Sequence, residues 1–304
     1  MFGNLVRLLP ITMLLAGCVK AAEPVSLVPD QNRAQWAATC KDWDEWDKPA
    51  PPYRIHGQTY YVGTCGITAL LIVGPDGLVL IDTGTLPGSR VVEANVARLG
   101  FTLDEVKALL VSHEHFDHVG GLARVQAASG ATVYTGQGAV NVLRTGRDDP
   151  RDPQAGLHEP MAPVTGEIHA VGDSEAVEAA GLRITGIATS GHTIGAMSWR
   201  WESCENGQCQ TVVYADSLSP VSADEYRFTG NPEYVAMFRA GIARLAATQC
   251  DILLTPHPSA SDMRAKAAGE ASWVDAGACG AYAARASKRL DDRLAAEAKA
   301  ANGQ

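Results

Sequence analysis

His113, His115, Asp117 and His118 fall within one short run, Ser-His-Glu-His-Phe-Asp-His, at residues 112–118. A lone histidine is most often a packing or surface residue. Three imidazoles and a carboxylate crowded together would instead have to neutralise one another unless a cation takes them as ligands. Nitrogen and carboxylate donors with no thiolate suit zinc first, then iron or manganese.

The elements on either side fix how those donors are presented. Residues 106–111 read as a short buried strand, and residues 119–130 as a helix closed by Gly130. The donors therefore sit on a strand-to-helix turn. In extended backbone alternate side chains share a face, so His113 and His115 can reach one cation together. The chain then turns, and Asp117 and His118 can point to a second. A catalytic zinc takes about three protein ligands plus water, so each half-site needs a donor from later in the chain. His192, in Thr189-Ser-Gly-His-Thr193, follows the apolar run 182–188; His257, between Pro256 and Pro258, follows the buried strand 252–254. Prolines on both sides of His257 restrict the backbone there. His56, His158 and His169 lie in polar or proline-rich surroundings and are expected at the surface.

With these residues in hand, the chain resembles the metallo-β-lactamase superfamily and, more narrowly, subclass B3 metallo-β-lactamases. The likeness runs from about Cys40 to the C-terminal helix. It rests on Tyr60-Tyr-Val-Gly-Thr-Cys-Gly-Ile67, Leu80-Ile-Asp-Thr-Gly84, the 112–118 run, Ser190-Gly-His-Thr193, Tyr214-Ala-Asp-Ser-Leu-Ser219 and Thr255-Pro-His-Pro-Ser259. The His-x-His-x-Asp-His motif identifies the superfamily alone. The serines at 217 and 219 and the cysteine pattern point to subclass B3.

The resemblance implies an α/β fold, a four-layer αβ/βα sandwich with two zinc ions per chain at one edge between its sheets. His113, His115 and His192 would hold one ion; Asp117, His118 and His257 would hold the other. Ser217 and Ser219 would position the substrate carboxylate, and Gln154 would contact substrate as in some relatives. Asp82 reads either as a carboxylate behind the ligands or as a plain strand-end turn residue. Two metals about 3.5–4 Å apart can share a water and bring its pKa from near 16 toward 7. The implied reaction is attack of that hydroxide on the carbonyl of a β-lactam, with Asp117 orienting the nucleophile and assisting proton transfer. Penicillins, cephalosporins and carbapenems are the implied substrates, and antibiotic resistance the implied consequence.

The chain has 304 residues, 46% of them hydrophobic, enough for a sizeable core, and a net charge of −9. That balance argues against a nucleic-acid partner, which needs clustered Lys and Arg. No protein partner is implied. Residues 1–17 read as a signal peptide: one arginine, then an apolar stretch too short to span a bilayer. Leu15-Ala-Gly-Cys18 looks like a lipoprotein processing box, which makes Cys18 a lipidation site and a membrane attachment; cleavage after Ala21 is the rival. Both routes export the protein, to the periplasm, with the outer membrane as anchor if Cys18 is lipidated.

Of the seven cysteines, setting Cys18 aside leaves six that can pair in an oxidising compartment. Cys204 and Cys209 flank Asn206-Gly207, a strong two-residue hairpin signal, and would face each other across the strands. Spacing does not decide the other four; the resemblance implies Cys40–Cys65 and Cys250–Cys279.

Residues 18–55 read as a mostly irregular arm, and 56–304 as one domain. In it residues 67–73 and 78–81 form a hairpin, 89–99 a helix, 132–134 a strand and 137–143 a helix, followed by a loop at 146–163 near the site's mouth. Strands follow at 181–188, 196–201 and 210–215. Asn231-Pro232 caps a helix carrying Val235, Phe238, Ile242 and Leu245, and a last helix carries Tyr282, Ala286 and Leu290 before fraying into an alanine-rich tail.

Rival readings stay open. Thioester hydrolases of the glyoxalase II kind and lactonases share this fold and bridge their metals with a further aspartate after the third histidine, for which Asp216 is a counterpart. An exported zinc-binding protein without catalysis is the other.

Overall fold

Leu70, Ile72, Val79 and Ile81 point to one side of a sheet, Leu71, Leu78 and Leu80 to the other, and both sets are buried. A sheet buried on both faces must be covered on both, and that requirement generates the layers. The computed structural model describes residues 31–303; the expected signal peptide, Cys18 and Ala21 lie outside them.

The first sheet places β1 (Tyr53–His56), β2 (Thr59–Tyr61), β3 (Leu70–Gly74), β4 (Gly77–Ile81), β5 (Val106–Leu110), β6 (Thr132–Gly136) and β7 (Ile168–Val171) side by side in that order. β1 to β4 pair antiparallel, β4 to β7 parallel. Parallel neighbours need crossovers. These are α2 (Gly88–Arg98), the pair α3 (Phe116–Val119) and α4 (Leu122–Ser129), and α5 (Ala139–Thr145); α1 (Gln31–Thr39) precedes the sheet. The second sheet runs β12-β11-β10-β9-β8, from β8 (Ala176–Ala179), β9 (Leu182–Ala188), β10 (Met197–Glu205), β11 (Gln208–Tyr214) and β12 (Ile252–Leu254). The remaining helices are α6 (Pro232–Ala246), α7 (Met263–Ala268) and α8 (Ala278–Ala301).

Three cores separate four layers. Val92 and Val96 of α2 and Leu122 and Val125 of α4 cover the outer face of the first sheet. Trp199, Trp201, Val212 and Tyr214 meet Val79 and Ile81 between the sheets. Phe238, Ile242 and Leu245 of α6 and Tyr282, Ala286 and Leu290 of α8 cover the second sheet. The fold is the expected αβ/βα sandwich. Trp199 ties the sheets together, donating Nε1–H to the Val111 carbonyl at 3.0 Å.

The disulfides are Cys40–Cys65, Cys204–Cys209 and Cys250–Cys279. Cys204 and Cys209 are cross-strand partners with Cα atoms 4.0 Å apart, and Asn206 and Gly207 both take positive φ, as the tight hairpin turn requires.

Several local expectations differ from the structure. The arm is not mostly irregular: α1 buries Trp36 against Tyr53 and Tyr61, at ring distances of 5.3 and 5.1 Å, so the arm contributes to the inter-sheet core. The helix expected over 119–130 is two helices, because the Gly121 amide leaves helical register to bond the Gly84 carbonyl at 3.1 Å. Asn231 precedes α6 but does not cap it; its side-chain amide donates to the Arg227 carbonyl. The last helix continues to Ala301 instead of fraying. β1, β2, β7, β8 and α7 were not anticipated.

Candidate metal centre

Every expected ligand lies just past the carboxyl end of a strand: the 112–118 run after β5, His192 after β9 and His257 after β12. Asp82 follows β4, and Asp216, Ser217 and Ser219 follow β11. The crevice beyond strand carboxyl ends is where open α/β sheets bind ligands.

Candidate donor atoms of His113, His115 and His192 lie within 4.8 Å of one another, as do those of His113, Asp117 and His118. His257 joins the second group by its ring, 5.1 Å from that of His118, and by Nε2, 3.5 Å from Asp117 Oδ2. His113 stands between the groups, its ring 4.2 Å from His118 and 4.7 Å from His192. Side chains separated by more than a hundred positions thus converge on one spot.

Each ring has one nitrogen turned outward toward a protein group. His113 Nδ1 is 2.8 Å from Asp216 Oδ1, His115 Nε2 is 3.2 Å from Asp152 Oδ2, and His192 Nδ1 is 2.9 Å from the Ser219 carbonyl. His118 Nδ1 faces Asp82 Oδ2 at 3.5 Å, an electrostatic contact without a direct hydrogen bond, and His257 bonds the Gly66 backbone. Outer partners of this kind fix the tautomer and aim the other nitrogen at a metal. The inward atoms behave accordingly. His113 Nε2 and His118 Nε2 are buried and make no hydrogen bond, though Asp117 Oδ2 lies 3.1 Å from the latter. Leaving a buried polar atom unsatisfied costs about 1–3 kcal/mol. A cation bound between the rings removes that cost, so the donor set fits a metal.

Electrostatics agree. Burial, then the neighbouring His113 and His115, push His192 down to about 3; burial, then His118, push His257 down to about 4. Burial and His118 hold His113 well below its usual range. These rings are neutral at pH 7, the form that coordinates a metal. His115 and His118 are the exceptions: burial opposes the charge of both, but Asp152 outweighs it at His115 and raises that ring, and Asp117 and Asp82 outweigh it at His118 and hold it up to about 10. Burial likewise opposes ionisation of Asp117, and His118 outweighs it, keeping the carboxylate well below its usual value.

The supporting shell is built from buried carboxylates. Asp82, at φ 57°, accepts bonds from Ser112 N (2.8 Å), Ser112 Oγ (2.6 Å) and Tyr214 OH (2.8 Å), which settles its place behind His118. Asp216 is turned to the outer nitrogen of His113 and joins neither donor group. Glu114, inside the 112–118 run, accepts from Thr193 Oγ1 (2.6 Å) and Gly195 N (3.0 Å) and so pins the loop carrying His192. Burial pushes its carboxyl up to about 7. Gly191 lets that loop pass α6: a Cβ there would lie 2.1 Å from the Phe238 ring.

A cavity of about 520 Å³ opens above the donors, and Gln154, Ser217 and Ser219 line it. Ser217 Oγ is buried and unpartnered, while Ser219 Oγ is 3.2 Å from His192 Nδ1. His158 is exposed and packs on Phe116 in the cavity wall; His169 is exposed. His56 departs from expectation. The β10–β11 hairpin folds over β1, so His56 is half-buried with Nδ1 3.0 Å from Ser203 Oγ. Sequence reasoning passed over Asp152, Glu114 and the rim residues Trp43 and Trp46. Trp43 and Trp46 lie 6.2 and 6.1 Å from the His257 ring. An aspartate followed by proline in a long loop carries no pattern that marks it; Glu114 could have been suspected from its place between two ligands.

Residues 62–205 match the model of the metallo-β-lactamase superfamily. The solved structure of the MIM-2 metallo-β-lactamase is 53% identical, covers 88% of this chain and 98% of its own, and superposes with a TM-score of 0.82. MEM-A1, described as a subclass B3 metallo-β-lactamase from a soil metagenome library, is 42% identical, covers 84% and 99%, and gives 0.80. A hydroxyacylglutathione hydrolase of Ectopseudomonas mendocina is 26% identical over 46% of this chain, and the match spans 42% of that relative.

Proposed function

The chain belongs to the metallo-β-lactamase superfamily, among its subclass B3 members, and on that premise we propose that it hydrolyses the lactam amide of β-lactam antibiotics with two zinc ions. His113, His115 and His192 would hold one ion, and Asp117, His118 and His257 the other. A pair of such ions, when bound, supplies Lewis acidity and a water ionised near neutral pH.

The chain's own residues do the rest. Asp117 carries an ionised carboxylate in the second donor group, beside the shared His113, where it can orient a water and take up its proton. Ser217, with its buried and unpartnered hydroxyl, and Ser219 offer donors to the substrate carboxylate on one wall; Gln154 faces the site on another. Phe116, Trp43 and Trp46 give the mouth an apolar rim that can pack a substrate side group while limiting water.

The observation that carries this reading is the pair of inward, unbonded imidazole nitrogens, each ring braced from behind by a carboxylate. The disulfides support it as well. Three disulfides suit an oxidising compartment, consistent with removal of residues 1–17 and a periplasmic protein attached to the outer membrane through lipidated Cys18. No helix among the described residues is long and apolar enough to cross a membrane.

The test is a kinetic panel of a penicillin, a cephalosporin, a carbapenem and a glutathione thioester, with and without chelator. Chelator-sensitive opening of the lactams is expected. Cleavage of the thioester with the lactams untouched would favour the thioester hydrolases; metal binding without turnover of anything would make the fold a binding protein.

A further inference from the structure

Among the described residues, Arg289 is the one lysine or arginine on the wall of the cavity above the donors. It comes from α8, whose Tyr282 hydroxyl donates to the Ser217 and Asp216 carbonyls at 2.6 and 3.0 Å. The Arg289 guanidinium lies 5.9 Å from the centre of the Tyr282 ring, with Nη2 3.4 Å from the Leu218 carbonyl, a weak bond for a charged donor. Leu218 itself sits at φ 43°, a left-handed conformation unusual for leucine, between the two serines. A guanidinium and a buried, unpartnered Ser217 hydroxyl therefore meet on one wall.

The charge pattern of α8 sharpens the point. Lys288 pairs with Asp292, Arg293 with Glu297, and Asp291 with Arg239 of α6. Arg289 has no carboxylate partner among the described residues, in a chain with a net charge of −9. The nearby acid, Asp216, is fully buried and turned toward His113, 2.8 Å from its Nδ1. Arg285 also stacks on Tyr282, at 5.7 Å, but does not line the cavity.

We propose that Arg289 supplies the positive charge that attracts and holds the substrate carboxylate, with Ser217 and Ser219 as neutral donors beside it. The inference rests on the β-lactam reading, since those substrates carry a carboxylate next to the ring nitrogen. A guanidinium presents its donors as a planar fork that matches a carboxylate; Arg289 is exposed, so it acts from the solvent edge of the cavity and its attraction is screened by salt.

The experiment compares zinc-loaded wild type with Arg289→Ala, Arg289→Lys and Arg285→Ala. Calorimetry measures binding of mercaptoacetate and of 2-mercaptoethanol, which share a thiol but differ in the carboxylate; steady-state kinetics use a penicillin and its methyl ester. Arg289→Ala is expected to weaken mercaptoacetate and raise the penicillin KM about tenfold, equivalent to about 1.4 kcal/mol. Its kcat, its 2-mercaptoethanol affinity and its ester kinetics should stay within about twofold, a difference of about 0.4 kcal/mol. Arg289→Lys should fall between, Arg285→Ala should match wild type, and added salt should weaken mercaptoacetate more in wild type than in Arg289→Ala. Equal losses for charged and neutral probes, no loss for either, or an Arg285→Ala variant that behaves like Arg289→Ala would overturn the proposal. A wild type that binds mercaptoacetate but opens no penicillin contradicts the β-lactam reading instead, and the two thiols still judge Arg289.

Discussion

Asp82→Asn separates the brace behind His118 from everything else at the site. Asparagine tolerates the left-handed backbone at φ 57° and keeps the shape of aspartate, so the change removes the charge and turns one of two accepting oxygens into an N–H donor. In the wild type the carboxylate accepts three bonds, from Ser112 N, Ser112 Oγ and Tyr214 OH, and faces His118 Nδ1 at 3.5 Å. Loss of the charge-assisted bonds costs about 1–3 kcal/mol of stability in the metal-free protein. Weakening a partner behind a ligand costs about 10–100-fold in metal affinity, equivalent to about 1.4–2.7 kcal/mol. That loss should fall on the ion held by Asp117, His118 and His257, because His113, His115 and His192 lean on Asp216, Asp152 and Ser219 instead. Competition with a chromogenic chelator resolves the two dissociation steps, and urea unfolding of the stripped protein gives the stability term. Two unchanged dissociation steps, or a first site weakened as much as the second, would refute the reasoning.

His118→Ala should lose mainly the second ion and His115→Ala mainly the first, read as zinc per chain by atomic emission; unchanged stoichiometry in both would contradict the ligand assignment. Glu114→Ala frees Thr193 Oγ1 and Gly195 N from their anchor, and first-site affinity should drop about tenfold with the second site spared. Asp44 accepts bonds from Lys41 N, Glu45 N and Lys48 Nζ; burial opposes its ionisation, but these partners outweigh it and lower its pKa. A lowered folded pKa means stabilisation that is present above the unfolded value near 4 and lost as pH falls through the folded one. Asp44→Asn should therefore cost about 1–3 kcal/mol at pH 7, and its difference from wild type should shrink as urea unfolding is repeated at successively lower pH below 4.

What was legible in the sequence depended on how local the signal was. The 112–118 run reveals itself because its donors are neighbours and the strand before them sets their direction. His192 and His257 were legible through the apolar strands that precede them, once the run demanded more ligands. Asp152 was not: it serves His115 from 37 positions away, in a loop with no periodicity. Arg289 was not legible either, since nothing local distinguishes a cation without a carboxylate partner from its paired neighbours on α8. α1 escaped notice because it buries only Trp36 and Ala37, too little for an amphipathic stripe. β7 and β8 are four residues long and half exposed, so neither shows the alternation that marks longer strands such as β10. The four-layer order itself came from family likeness; chain patterning alone supported only a mixed α/β domain.

The most direct measurement is a stepwise return of zinc to chelator-stripped protein while cephalosporin opening is followed in the same samples. The account predicts no opening without metal, a rise that ends at two equivalents in the wild type, and binding that ends near one equivalent in His118→Ala. A stripped protein that opens the ring at the full rate would contradict it.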